Sequence, residues 1–161
     1  MIVFPGAMAF AAAMDLITMT IPNKVSIVLV AAFFLLAPLA GLGLYDIALH
    51  VSAGIVTLAA TFLFFTRGWI GGGDAKLFAA AALWLGFEHL ADFAIVSALL
   101  GGALTLGLLF VRKIPLPMAL FGQSWIVRLH SIEEGIPYGI ALGTAGLIVY
   151  PWTPWMQSLL H

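Results

Sequence analysis

The hydrophobic positions of this chain come in long runs separated by short polar breaks. Runs long enough to cross roughly 30 Å of hydrocarbon at about 1.5 Å per residue fall near 2–21, 25–42, 47–66, 69–87, 93–111 and 136–153. They predict an all-α membrane protein, a bundle of about six transmembrane helices. The fourth run is the odd one. Counted from Ala75 it supplies about 13 helical residues, or about 20 Å of rise, so the glycine-rich stretch before it must also lie at membrane depth. Backbone of that kind has to be buried in protein or line a wet cavity.

The polar breaks differ in sign. Lys24, Arg67, Lys76, Arg112, Lys113 and Arg128 fall on one side of a six-span arrangement, while Asp46, Glu88 and Asp92 fall on the other. The positive-inside rule makes the basic side cytoplasmic and puts both termini outside. The N-terminal run lacks the basic flank and small-residue cleavage site of a signal peptide, so it reads as a retained span. Between the fifth and sixth runs, "PLP" at 115–117 breaks the helix. Phe121, Trp125, Leu129 and Ile132 then recur near helical spacing, which suits either a cytoplasmic interfacial helix or an irregular covering loop.

Composition agrees with the pattern. Of 161 residues 63% are hydrophobic and 8% charged, far below the roughly one quarter charged in soluble domains. Residues 1–161 read as one integral membrane domain with the lipid bilayer as solvent. A net charge of −1 gives no reason to expect a nucleic-acid partner. The absence of cysteine excludes disulfides, thiolate metal sites and cysteine nucleophiles. His50, His89, His130 and His161 show no metal-ligand spacing, so no metal or cofactor is expected.

Two acids stand inside the spans. Asp15 lies about seven residues, or about 10 Å of helix, before the turn "IPNK"; Asp74 follows Gly71, Gly72 and Gly73 near the same end of the fourth run. A carboxylate at such depth costs a few kcal/mol and is normally functional, paired or facing water. Two carboxyls at similar depth on different helices suit aspartic protease chemistry. One, ionised, takes a proton from a water; the other, protonated, polarises the scissile carbonyl. Paired carboxyls resist double ionisation, so such a pair holds a proton between them. The glycines would allow unusual dihedrals and leave room for an extended substrate strand. A plainer reading makes Asp74 an ordinary helix N-cap, which does not account for Asp15. Lys76 could stabilise an ionised Asp74 or simply snorkel to the interface. Glu133 and Glu134 could attract a basic peptide or face solvent, Asn23 serves the turn, and "GIALG" at 139–143 and "GG" at 101–102 read as close helix packing.

"DLITMTIPNKVS" from Asp15 and "GGGDAKLFAA" from Gly71 together resemble the two signature motifs of the type IV prepilin peptidases, membrane aspartic proteases of the GxGD kind. "IPYGIALG" at 136–143 is similar to a segment of the short Flp/Tad-type members. The resemblance implies that Asp15 and Asp74 are the catalytic pair, that Gly71 and Gly73 are the glycines of GxGD, and that a prepilin or pseudopilin is cut at the cytoplasmic face of the bacterial inner membrane. Bifunctional members add a region with paired cysteines and methylate the new N-terminus, so a chain without cysteine is expected to cleave without methyl transfer. Thr20 stands where many relatives have a basic residue before "IPN". Two alternatives stay open: a GxGD intramembrane protease of another type, and a small transporter or assembly subunit using the acids as a proton relay.

Overall fold

A computed structural model of the chain describes residues 2–157, and among these there is helix and no strand. Helix α1 spans Val3–Thr18, α2 Asn23–Leu39, α3 Leu44–Thr66 and α4 Gly72–Val111. The short α5 covers Ser124–His130, α6 Tyr138–Val149 and α7 Pro154–Gln157. The all-helical expectation is met, but the chain breaks in a different place. Residues 88–92, expected to link a fourth span to a fifth, are helical, and the interruption sits at Gly86 with φ 65° and ψ 179°. Glu88 and Asp92 are polar without being helix breakers, whereas a residue lacking Cβ can take a conformation closed to others.

Helix α4 therefore consists of two arms, 72–85 and 87–111. Its break leaves carbonyls without their helical donors, and two side chains from elsewhere supply partners. His50 Nδ1 hydrogen-bonds Leu83 O at 2.8 Å, and Trp155 Nε1 donates to Trp84 O at 2.8 Å.

The first arm is the pillar of the molecule. Ala75, Leu77 and every residue from Ala79 to Gly86 are buried, as expected of a helix apolar on all sides with neighbours around it. Helices α3, α6 and α2 surround it. At one end of the pillar Phe4 stacks on Tyr150 at 4.6 Å, Trp84 lies 4.8 Å from Trp155, and Trp84 Nε1 donates to Leu29 O at 2.9 Å. Beside it α6 lies tightly on α1: a Cβ at Gly143 would stand 2.6 Å from Met8 O, and one at Gly146 2.6 Å from Met8 Cε. Small residues permit this approach where lipid gives helices no hydrophobic reason to associate.

The outer surface is apolar. Ile27, Leu35, Leu99 and Leu106 are 64, 69, 68 and 71% exposed, with many similar neighbours, and a surface of that kind is suited to lipid. Helices α3 and α4 are long and apolar enough to cross a bilayer. Helices α1 and α2 are apolar but shorter, at 16 and 17 residues, and α6 has 12.

Basic side chains tie one end together. Lys76 Nζ donates to Asn23 Oδ1 at 3.0 Å, Arg128 Nη2 to Ile17 O at 2.6 Å, and Arg112 to Leu129 O and Gly135 O, each at 2.8 Å. The end of α1, the starts of α2 and α4, the end of α4 and α5 thus meet there. Asp46 and Glu88 line a cavity with His50 and Trp155 beside the Gly86 break, at the far end of the first arm. The expected interfacial helix is reduced to the seven residues of α5, since Ser131 is already extended and residues 118–120 form a separate 3-10 turn after Pro117.

Candidate active site

Asp15 continues the buried stripe of α1. Phe4, Met8, Ala11 and Asp15 follow one another at helical spacing on the face turned to the core, and Asp15 is only 5% exposed. Its Oδ2 accepts a hydrogen bond of 2.7 Å from the buried Gly139 backbone N–H, the second residue of α6. Polar groups at such depth need partners, and this one comes from 124 residues away.

Asp74 is placed differently. Gly71 is the N-cap of α4 and Asp74 the third helical residue, so its carboxylate reaches back to accept from the Gly71 backbone N–H. A helix N-terminus offers free N–H groups and a favourable dipole to such a carboxylate. Asp74 is therefore not itself the N-cap, the plainer reading of the sequence.

The two acids flank a common neighbour. Ile21, from the turn after α1, is wedged between their supports. A Cβ on Gly73 would stand 3.2 Å from Ile21 Cβ, and one on Gly139 would stand 2.7 Å from Ile21 Cδ1 and 2.8 Å from Asp15 Oδ2. Thr18 and Thr20, either side of the left-handed Met19, bring their hydroxyls to 2.9 Å beside this turn.

The glycines work through space, which corrects one expectation. Gly71 has φ −71° and ψ 148°, Gly72 and Gly73 are helical, and none has the positive φ seen at Gly41, Gly68 and Gly86. A Cβ at Gly71 would lie 2.8 Å from Asp74 Oδ2, and one at Gly72 3.2 Å from the Phe65 ring. Ordinary side chains fit the backbone at these positions but not the space.

Lys76 is exposed and bonds Asn23, with no ion pair to Asp74. Two residues further along a helix is more than half a turn, so its side chain leaves on another face. His50 serves the α4 break, His89 lies 3.9 Å from Asp92, and His161 lies outside the described residues. Glu133 and Glu134 are exposed ahead of α6. Among the described residues no three His, Asp or Glu side chains are grouped to hold a metal.

Pro137, Tyr138 and Gly139 contribute to the site without a local sequence pattern that assigns them to it. The Tyr138 hydroxyl donates to Ser97 O on the second arm of α4 at 3.1 Å, and its ring fills the space above Gly101. "IPYGIALG" carried the available signal, and its glycines read only as packing.

Comparison with known proteins bears on this arrangement. The type IV leader peptidase family matches residues 2–106, a stretch that includes both aspartates and Gly71–Gly73. A "Prepilin leader peptidase/N-methyltransferase" of Aeromonas hydrophila is 28% identical over 143 residues, covering 86% of this chain and 44% of that protein. The protein of the same description from Aeromonas salmonicida (strain A449) is 28% identical over 155 residues, covering 91% and 48%. That from Bacillus subtilis (strain 168) is 34% identical over 128 residues, covering 73% and 49%. The chain spans about half the length of the curated relatives it matches. No solved structure gives a significant match. With well over half of its residues inside the family match, this chain belongs to the type IV leader peptidase family.

Proposed function

We infer that the protein is a membrane aspartic endopeptidase that removes the leader peptide from Flp-type or type IV prepilins, with Asp15 and Asp74 as its catalytic pair. What supports this reading is that two acids from separate helices, one held by Gly139 and the other by Gly71, flank Ile21 at the basic end of the molecule. A basic end beside the site supports a location near the cytoplasmic face of the inner membrane. The apolar exterior supports a multi-pass bundle of six crossings, the two arms of α4 counting separately, with both termini outside.

In the reaction one carboxylate removes a proton from a water as that water attacks the carbonyl carbon of the leader's last residue. The partner, protonated, hydrogen-bonds the carbonyl oxygen, and the proton taken from the water passes to the amine that departs as the C–N bond breaks. Gly71, which has no side chain to crowd Asp74 Oδ2, leaves that carboxyl group room to receive an extended peptide. Residues 1–161 act as one peptidase domain. The relatives' descriptions pair the peptidase with an N-methyltransferase; we expect this chain, which has no cysteine, to cleave without transferring methyl groups.

The test is leader removal from a co-expressed Flp-type prepilin. Asp15→Asn and Asp74→Asn should each remain in the membrane at wild-type abundance and leave the prepilin uncut. Normal cleavage by either variant would dismiss the pair.

A further inference from the structure

We propose that the Gly139 backbone N–H is the group that sets Asp15 for reaction, with Tyr138 as the peg that holds it in place; this rests on the peptidase reading above. The 2.7 Å hydrogen bond to Asp15 Oδ2 is buried, so water does not compete for that oxygen. It fixes one oxygen of Asp15 and with it the direction of the other. A side chain at this position would have to displace Asp15 or Ile21, since a Cβ there would lie 2.8 Å from Asp15 Oδ2, 3.0 Å from Asp15 Cβ and 2.7 Å from Ile21 Cδ1. Residue 139 is in turn anchored by the two residues before it. Pro137 is buried and limits the backbone before it. Tyr138 is pinned by Ser97 O and by the ring-sized space at Gly101. The peg joins α6 to the second arm of α4, so Asp15 takes its orientation from α6 and α4 as well as from α1.

Gly143, one turn along α6, provides the control. A Cβ there meets Met8 O at 2.6 Å and Ala12 Cβ at 2.7 Å, a crowding as severe as at Gly139 but without contact to Asp15. The experiment compares Gly139→Ala and Gly143→Ala as purified, detergent-folded protein cutting a synthetic Flp-type prepilin, with kcat, KM and melting temperature read for each. Both variants should melt lower than wild type. Gly139→Ala should lose about a hundredfold in kcat with KM little changed, the scale on which a misplaced catalytic group slows a reaction. Gly143→Ala should keep its kcat per folded molecule.

If Gly139→Ala cannot be recovered folded, the pair Ile21→Val with Gly139→Ala removes the Ile21 Cδ1 clash and leaves the one with Asp15. It should be recovered folded and remain slow. Wild-type kcat in either form, or equal kcat loss in Gly143→Ala, overturns the positioning role while Asp15→Asn still tests the peptidase reading by itself. An active Asp15→Asn removes both.

Discussion

The two aspartates are held by opposite means. Asp74 is held by its own turn, its carboxylate folding back on the amide of Gly71 three residues earlier. Asp15 sits near the last turn of α1 and depends on an amide contributed by α6. A locally held group survives whatever preserves a helix start. A group held across the fold is only as well placed as the packing of three helices, so substitutions at the two sites should behave differently.

Lengthening each side chain is the sharpest way to break the comparison. Asp15→Glu puts a methylene into a buried space bounded by Gly139 and Ile21, and prepilin cleavage should fall about a hundredfold or more. Asp74→Glu places the residue favoured at the third position of a helix where the side chain is partly exposed, so the loss should be about tenfold. The reverse order, measured on equal amounts of folded protein, would show that Asp15 is not the more constrained of the two.

A smaller effect is expected one residue into the local support. Gly71→Ala fits the backbone but crowds Asp74 Oδ2, so cleavage should drop about tenfold with little change in melting temperature. An equal loss of stability would return Gly71 to a packing role. At Gly86 the expectation is reversed: alanine would have to hold a positive φ with its Cβ 3.0 Å from His50 Cε1, at a cost of about 1–3 kcal/mol in stability. Thermal denaturation in detergent would show it, and an unchanged melting temperature would mean the α4 break is not fixed by its glycine. Smallest of all is Lys76→Gln, which removes an exposed hydrogen bond to Asn23 worth less than about 1 kcal/mol. Its cleavage rate should stay within about twofold of wild type; loss of activity would bring Lys76 into the site after all.

The same contrast explains what could be read from the chain without coordinates. Asp74 and its glycines are adjacent in sequence, so the motif displays its geometry almost directly. Asp15 stood out because a buried acid in an apolar run is costly. Its partner did not, because nothing in "IPYGIALG" indicates which helix its backbone will face. Helix positions are legible through apolar runs, and one misplaced boundary lies where polarity and backbone freedom disagree: Glu88 and Asp92 mark an end that Gly86 makes six residues earlier than the second of them. The dihedral role expected of Gly71–Gly73 failed for a related reason, since a glycine can be needed for space alone.

The central claim is that the two carboxyl groups act as one unit on one water. The most direct measurement is the residual prepilin cleavage of the double variant Asp15→Asn with Asp74→Asn, set against the two singles. Groups that act together lose nearly everything when one is removed, so the double variant should sit on the same floor as either single. Losses that multiply, each single retaining measurable cleavage and the double falling by the product, would mean the two aspartates work independently and would contradict the account.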